Sequence, residues 1–187
     1  VLELILKSEN KVIALARSAD KLSRLLEIAK GLNPECNLFP VQFDLLNDDI
    51  EQGLKPFIAQ QFGQIDVLIN NAGNLEVKPF EQSSEVDFVE MLQSNFLNHV
   101  RLIQGLLPLM QSPSHIVNIG SMGGFQGSAK FAGLSAYSAS KAALHNFTEC
   151  LAEELKERKI SVNCLALGSA QTEMLEKAFP GYESPVM

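Results

Sequence analysis

The chain has 187 residues, 46% of them apolar, and a formal net charge of -7 from 15 basic and 22 acidic side chains. Such a length can bury a substantial core as one domain. The acidic balance, with no basic run longer than Lys156 to Lys159, argues against nucleic acid or an anionic membrane as partner.

The opening VLELILKSEN reads as the last turns of a helix and starts without Met, so a fragment is expected. Val12 to Ala16 is an apolar strand. Ser18 then caps a helix whose Leu22, Leu25, Leu26 and Ala29 share one face, with Gly31 at its end. Cys36, and later Cys150 and Cys164, are widely spaced without a C-x-x-C and read as free thiols of a reducing, cytoplasmic compartment. Leu38 to Phe43 is a second strand, and Ile50, Leu54, Phe57 and Ile58 follow at helical spacing up to Gly63, interrupted by Pro56. Ile65 to Asn70 is a buried strand leading into Asn71-Ala72-Gly73, and an amphipathic pattern covers Glu85 to Met110. His115 to Ile119 is the fourth strand, followed by a glycine-rich loop. A helix from Tyr137 to Arg158 carries the stripe Leu144, Phe147, Leu151 and Leu155, and Ile160 to Leu167 is the fifth strand.

Strands apolar on both faces and separated by helices require a parallel sheet covered on both sides. The expectation is a doubly wound, Rossmann-type α/β fold forming one domain over residues 1–187. Ligands of such sheets bind beyond the carboxyl ends of the strands. Arg17, Asp44, Asn71-Ala72-Gly73, Ser121 and the stretch from Gly168 to Thr172 all fall there. No apolar run approaches the ~18 residues of a membrane span, and no metal site is expected.

Tyr137 and Lys141 stand four apart and share a helix face. They are either two amphipathic side chains packing as neighbours or an acid/base pair in which the cation and the helix N-terminus lower the phenol pKa. Ser121, at Gly120-Ser121-Met122-Gly123, is a turn serine or a hydroxyl donating to the same substrate oxygen as Tyr137. Asn95 lies mid-helix, as an exposed polar residue or as an amide that holds a water or distorts the helix near the site. Arg17, directly after the first strand, is a solvated charge or the partner of a ribose 2′-phosphate. Asp44 is a helix-cap carboxylate or an adenine contact.

These residues together resemble the classical short-chain dehydrogenases/reductases. The matching motifs are Asn71-Ala72-Gly73, Asn95, Ser121, Tyr137-Ser-Ala-Ser-Lys141, and Val162-Asn163-Cys-Leu-Ala-Leu-Gly168 with Thr172. The resemblance spans essentially the whole chain and implies roles by position. Tyr137 would be the general acid/base, Lys141 would lower its pKa and bond the nicotinamide ribose, Ser121 would hold the substrate carbonyl, and Asn95 would anchor a relay water. Asn71, Ala72 and Gly73 would lie along the cofactor. Arg17 points to NADP(H) over NAD(H), Asp44 and Leu45 would lie by the adenine, and Gly168, Ala170 and Thr172 would meet the nicotinamide carboxamide and phosphates. The family's first strand and its T-G-x-x-x-G-x-G turn are not in the sequence. Ser121 and Tyr137 are 16 apart, so the loop between them is enlarged, and Leu167 stands where the family usually has Pro.

The implied activity is hydride transfer between a nicotinamide and a carbonyl or secondary alcohol of a small molecule. The alternative is a non-catalytic nucleotide-binding or scaffold protein on the same fold. Ser138-Ala-Ser-Lys141 and Ser161-Val-Asn163 mimic two marks of penicillin-recognising acyl enzymes, but K-T-G is absent. Apolar surface on the helices Glu85–Met110 and Tyr137–Arg158 exceeds what a sheet face covers, so a homodimer or homotetramer is expected.

Overall fold

A computed structural model describes residues 2–184 of the chain. It divides into two compact units, Val1–Phe62 and Gly63–Met187.

The first unit holds α1 (Leu2–Leu6), β1 (Lys11–Ala16), α2 (Ala19–Leu32), β2 (Asn37–Gln42) and α3 (Lys55–Phe62). β1 and β2 pair in parallel, Val12 opposite Leu38 and Leu15 opposite Val41. Their core is Ile5, Ala29, Cys36 and Leu38, with Val12, Ala14, Leu25 and Leu26 packed on it. Ser18 caps α2 as expected, its hydroxyl accepting from the Lys21 N–H at 3.3 Å. Gly31 does not end that helix. α2 continues to Leu32 and closes on Asn33, whose backbone is extended and whose N–H donates to the Ala29 carbonyl. Asn33 Oδ1 accepts from Glu35 N (3.0 Å) and Nδ2 donates to Leu6 O (2.6 Å), so no left-handed glycine is needed. The segment with Pro56 begins as a π-helical stretch, Ile50–Leu54, capped by Asp49, and tightens to α3 only at Lys55. Pro56, which has no N–H to donate, thus follows closely on the π turn that interrupts the α ladder.

The second unit holds β3 (Val67–Asn70), α4 (Glu85–Leu92), α5 (Asn98–Leu106), β4 (Ser114–Ile119), α6 (Ser135–Glu154), β5 (Ile160–Leu165) and α7 (Glu173–Ala178). β3, β4 and β5 form a parallel sheet with β4 central, Ile116 facing Leu68 on one side and Val162 on the other. Burial of Met91, Leu102, Ile103, Leu106, Ile116, Leu144, Leu151 and Ile160 marks its core. The long pattern from Glu85 to Met110 is not one α-helix: Gln93–Leu97 is a π-helical segment between α4 and α5. α6 starts at Ser135, two residues before Tyr137, and stops at Glu154. β5 ends at Leu165, short of Leu167.

Each sheet, the pair in the first unit and the triple in the second, is wholly parallel, the pairing of doubly wound folds. Among the described residues no helix is long and apolar enough to cross a membrane.

Candidate active site

The carboxyl end of β4 and the first turns of α6 bring Ser121, Tyr137 and Lys141 together within the second unit. Past Ile119 the strand extends its ladder: Gly120 N donates to Leu165 O (2.9 Å) and Met122 N to Leu167 O (2.8 Å). Ser121 thus leaves the sheet as the cap of a short 3-10 turn, Met122–Gly124, its Oγ accepting from Gly123 N at 3.1 Å. Ser121 is thus a turn serine, and its hydroxyl and the Tyr137 ring both border Gly123. The turn presses on α6: a Cβ at Gly124 would lie 2.6 Å from Ala142 N and from the Lys141 carbonyl carbon. That close approach brings the serine to the tyrosine.

Lys141 is buried, and its ammonium donates to Ile119 O at 2.9 Å. Burial pulls its pKa down to about 8. The expected depression of the tyrosine pKa is not found. Burial raises the Tyr137 phenol above its ordinary value, only the Ser121 hydrogen bond opposes this, and Lys141 makes no contribution. The Lys141 ammonium is directed instead at the main chain at the end of β4. A neutral phenol is the form that can give up a proton.

Asn95 is fully buried in the π-helical segment. Its Oδ1 accepts from Asn74 N (2.8 Å), and its Nδ2 donates to Asn74 O (2.9 Å) and Ser140 Oγ (3.0 Å). Both amide protons are taken, leaving one acceptor site on Oδ1 for a water. The extra residue of the π turn, a feature frequent at functional sites, aims this amide at the Asn71–Asn74 loop. Glycine is required there: a Cβ on Gly73 would stand 2.7 Å from Asn95 Oδ1 and 3.6 Å from Lys141 Nζ. Ala72 is held by His99, whose Nε2–H donates to Ala72 O at 2.7 Å.

The remaining expected residues are not part of this cluster. Gly168 and Ala170 are exposed beyond β5, and Thr172 caps α7, accepting from Leu175 N at 3.2 Å. In the first unit, Arg17 lines a cavity of about 390 Å³ with Gln42, Asp44 and Asp48. Asp44 caps its own turn, not a helix, accepting from Leu46 N (3.0 Å) and Asn47 Nδ2 (2.8 Å); the next helical segment is capped by Asp49. Leu45 follows in that turn.

Sequence reasoning missed the polar groups behind the site. A buried chain runs from Asn70 Nδ2 to Asn118 Oδ1 (2.8 Å), from Asn118 Nδ2 to Thr148 Oγ1 (2.9 Å), and from Thr148 to Leu144 O (2.6 Å). It ties the ends of β3 and β4 to α6. His99 is wholly buried, with burial the main cause of a pKa near 4, and its Nδ1 has no partner among the described residues. His145 reaches the Ser121 backbone. Its position four residues after Lys141 was the available signal.

An apolar groove of about 700 Å³ lies beside this cluster, walled by Val77, Pro79, Phe80, Phe131, Leu134 and Ser138. The enlarged loop supplies Phe131 and is stitched down where Lys78 N donates to Gly133 O (2.9 Å). Gly133 has φ +81°, and a Cβ there would strike Val77 Cγ1. Phe80 and Phe131 are 73% and 64% exposed, too open for core residues. Ser138 joins the groove to the cluster, its Oγ and the Tyr137 ring both bordering Gly123. Among the described residues no group of three His, Cys, Asp or Glu could hold a metal ion.

Residues 1–183 match the family model for short chain dehydrogenases. An oxidoreductase of Botryotinia fuckeliana, BOA17, is 32% identical over 176 residues, 92% of this chain and 61% of that protein. A fatty acyl-CoA reductase of Acinetobacter baylyi is 32% identical over 168 residues, covering 88% of this chain. The chain spans only 55% of that enzyme's length. A short chain dehydrogenase from Shigella flexneri, solved in complex with NADP, superposes with a TM-score of 0.81 at 30% identity, over 92% of this chain and 72% of that one. Motifs, fold and relatives agree, and the chain belongs to the short-chain dehydrogenase family.

Proposed function

We propose that the protein is an NADP(H)-dependent oxidoreductase that moves a hydride between nicotinamide and a carbonyl or secondary alcohol. The observation that carries this reading is the meeting of Tyr137 and Ser121 beside Gly123 at the carboxyl end of β4, where the buried Lys141 ammonium is also fixed. Two hydroxyls that meet each other can both turn to a carbonyl oxygen set between them. Ser121 then polarises the carbonyl and Tyr137, a neutral phenol, protonates the oxygen as negative charge develops on it. In the reverse direction Tyr137 acts as the phenolate and takes the proton from the alcohol.

The donor set suits the cofactor. Lys141 offers an ammonium for ribose hydroxyls, the Asn71–Gly73 loop is exposed, and Arg17 lines a cavity wide enough for a 2′-phosphate. When bound, NADP(H) supplies or accepts the hydride. The Shigella relative bound to NADP supports this choice over NAD(H). The apolar groove favours substrates whose carbonyl sits on an apolar body, in keeping with a fatty acyl-CoA reductase among the relatives. Val86, Val89 and Leu97, exposed along the α4 to α5 stretch, support a homodimer or homotetramer.

The test is Tyr137→Phe, assayed by NADPH absorbance against aliphatic and aryl aldehydes and ketones, with NADPH binding measured by fluorescence. Loss of the proton donor is expected to lower turnover about 10²- to 10⁴-fold while NADPH still binds, and bulky apolar carbonyls should outrun small ones. Unchanged turnover in the variant overturns the mechanism. NADPH binding without turnover of any carbonyl by the parent protein would favour the non-catalytic reading.

A further inference from the structure

Three consecutive N–H groups leave the end of β4. Those of Gly120 and Met122 go to β5 and the chain following it, while Ser121 N, between them, donates to the side chain of His145 at 3.3 Å. His145 lies on α6, four residues after Lys141 and eight after Tyr137, and so on the same face as both. One rigid helix thus carries Tyr137 and also grips the backbone of the residue that Tyr137 meets. The fit is close. A Cβ on Gly120 would run into His145 Nε2 and stand 2.6 Å from Cys164 Sγ, so the imidazole and the thiol fill the place of a side chain at residue 120.

We infer that His145 is a positioning residue for Ser121, keyed to Gly120, which sets the separation of the serine and tyrosine hydroxyls by locking the end of β4 to α6. This rests on the reductase reading of the site. To accept from an N–H, Nε2 must carry no proton, so the ring is held neutral as the Nδ1–H tautomer. The surroundings agree. Burial and the Lys141 cation both lower the His145 pKa, outweighing Glu149 on the same helix, while Cys164 on β5 faces it as a neutral thiol whose pKa burial has raised. Without the acceptor, Ser121 N is left unpaired and the turn carrying the Ser121 hydroxyl can drift. A displacement approaching 1 Å costs about a hundredfold in turnover.

The test compares His145→Leu, which removes the acceptor, with His145→Gln, which keeps an oxygen at similar reach and cannot titrate. In the full chain, with NADPH and the best carbonyl of the panel, Leu is expected to lower kcat about tenfold to a hundredfold. KM for NADPH should stay within about threefold. Gln is expected to restore kcat to within about threefold of the parent. Gly120→Ala, which drives the ring away, should match Leu. Equal losses for Leu and Gln, or none for either, overturn the proposal. A second readout needs no turnover: ¹⁵N NMR of the imidazoles, with the His145 signals identified by their loss in His145→Gln. The expected result is an Nδ1–H tautomer with bare Nε2 at pH 7, and an Nε2–H tautomer or an imidazolium overturns the contact. Failure of every carbonyl with the parent protein overturns the reductase reading and the kinetic role together, while the ring nitrogens still report on the contact alone.

Discussion

Gly124 tests whether the packing of the serine turn on α6 builds the site. Adding one methyl by Gly124→Ala places a Cβ 2.6 Å from Ala142 N and the Lys141 carbonyl carbon, and 2.7 Å from Lys141 Cβ. Comfortable contacts between such atoms begin at about 3.5 Å, so close to 1 Å of room is lacking. The obstructing atoms are mainly helix backbone and cannot swing aside. The turn Met122–Gly124 must therefore back away from α6, taking Ser121 with it through the bond from Gly123 N to Ser121 Oγ. Overpacking of this kind costs about 1–3 kcal/mol of stability, and a displacement near 1 Å at the reacting groups costs about a hundredfold in kcat. Urea unfolding and NADPH-coupled turnover measure the two effects, and NADPH affinity should change little. Gly31→Ala is the control: that glycine lies inside α2 with nothing within 4 Å of its would-be Cβ, so alanine there should stabilise by about 0.5–1 kcal/mol. A Gly124→Ala protein as stable and as active as the parent would refute the reasoning.

Arg17→Asp should move cofactor preference from NADPH toward NADH, because a carboxylate repels a 2′-phosphate and can accept from a 2′-hydroxyl. Comparison of kcat/KM for both cofactors checks this, and an unchanged ratio removes the argument for Arg17. Lys141 predicts an alkaline limb. Its pKa is lowered on folding to about 8, so the ammonium and any rate that depends on it should fade as pH rises through about 8, and Lys141→Arg should push that limb upward. The sign for stability is opposite. Between about pH 8 and the lysine's ordinary 10.5 the unfolded chain binds the extra proton, so this group makes stability rise with pH across that window. A pH series of kcat and of urea midpoints reads both, and a rate with no limb below pH 10 would contradict the first.

How much of this was legible in the sequence follows from which signals are local. Each strand announces itself as an apolar run between turn residues, and all five were placed to within two residues at either end. The candidate site was legible in part because Ser121 and Tyr137 sit at a strand end and a helix start, where polar residues interrupt apolar runs. Pairing and register needed three dimensions. A π turn adds a single residue to an otherwise helical pattern, which periodicity over Glu85 to Met110 cannot resolve, so the reason Asn95 is buried stayed hidden. Gly31 was read as a helix end because glycine usually marks one, but Asn33 supplies that cap instead.

The tyrosine pKa shows where residue spacing misleads. Tyr137 and Lys141 at i and i+4 imply a cation beside a phenol, yet spacing says nothing of which acceptor the ammonium prefers or how deeply the phenol is buried. The acceptor is Ile119 O, supplied by a strand 22 residues earlier, and burial then governs the tyrosine. The same reasoning gives His145 its interest. Its position repeats the Tyr137 and Lys141 spacing by another four residues, but its partner, Ser121 N, comes from the same distant strand end. Tyr137, Lys141 and His145 form one stripe of α6 addressed to three atoms at the end of β4: the Ser121 hydroxyl, the Ile119 carbonyl and the Ser121 N–H. In the proposed reaction the first contact prepares the proton donor, and the other two fix the strand end to which that donor must be matched. Removing either fixing contact should therefore mimic partial loss of the first, lowering kcat more than cofactor affinity.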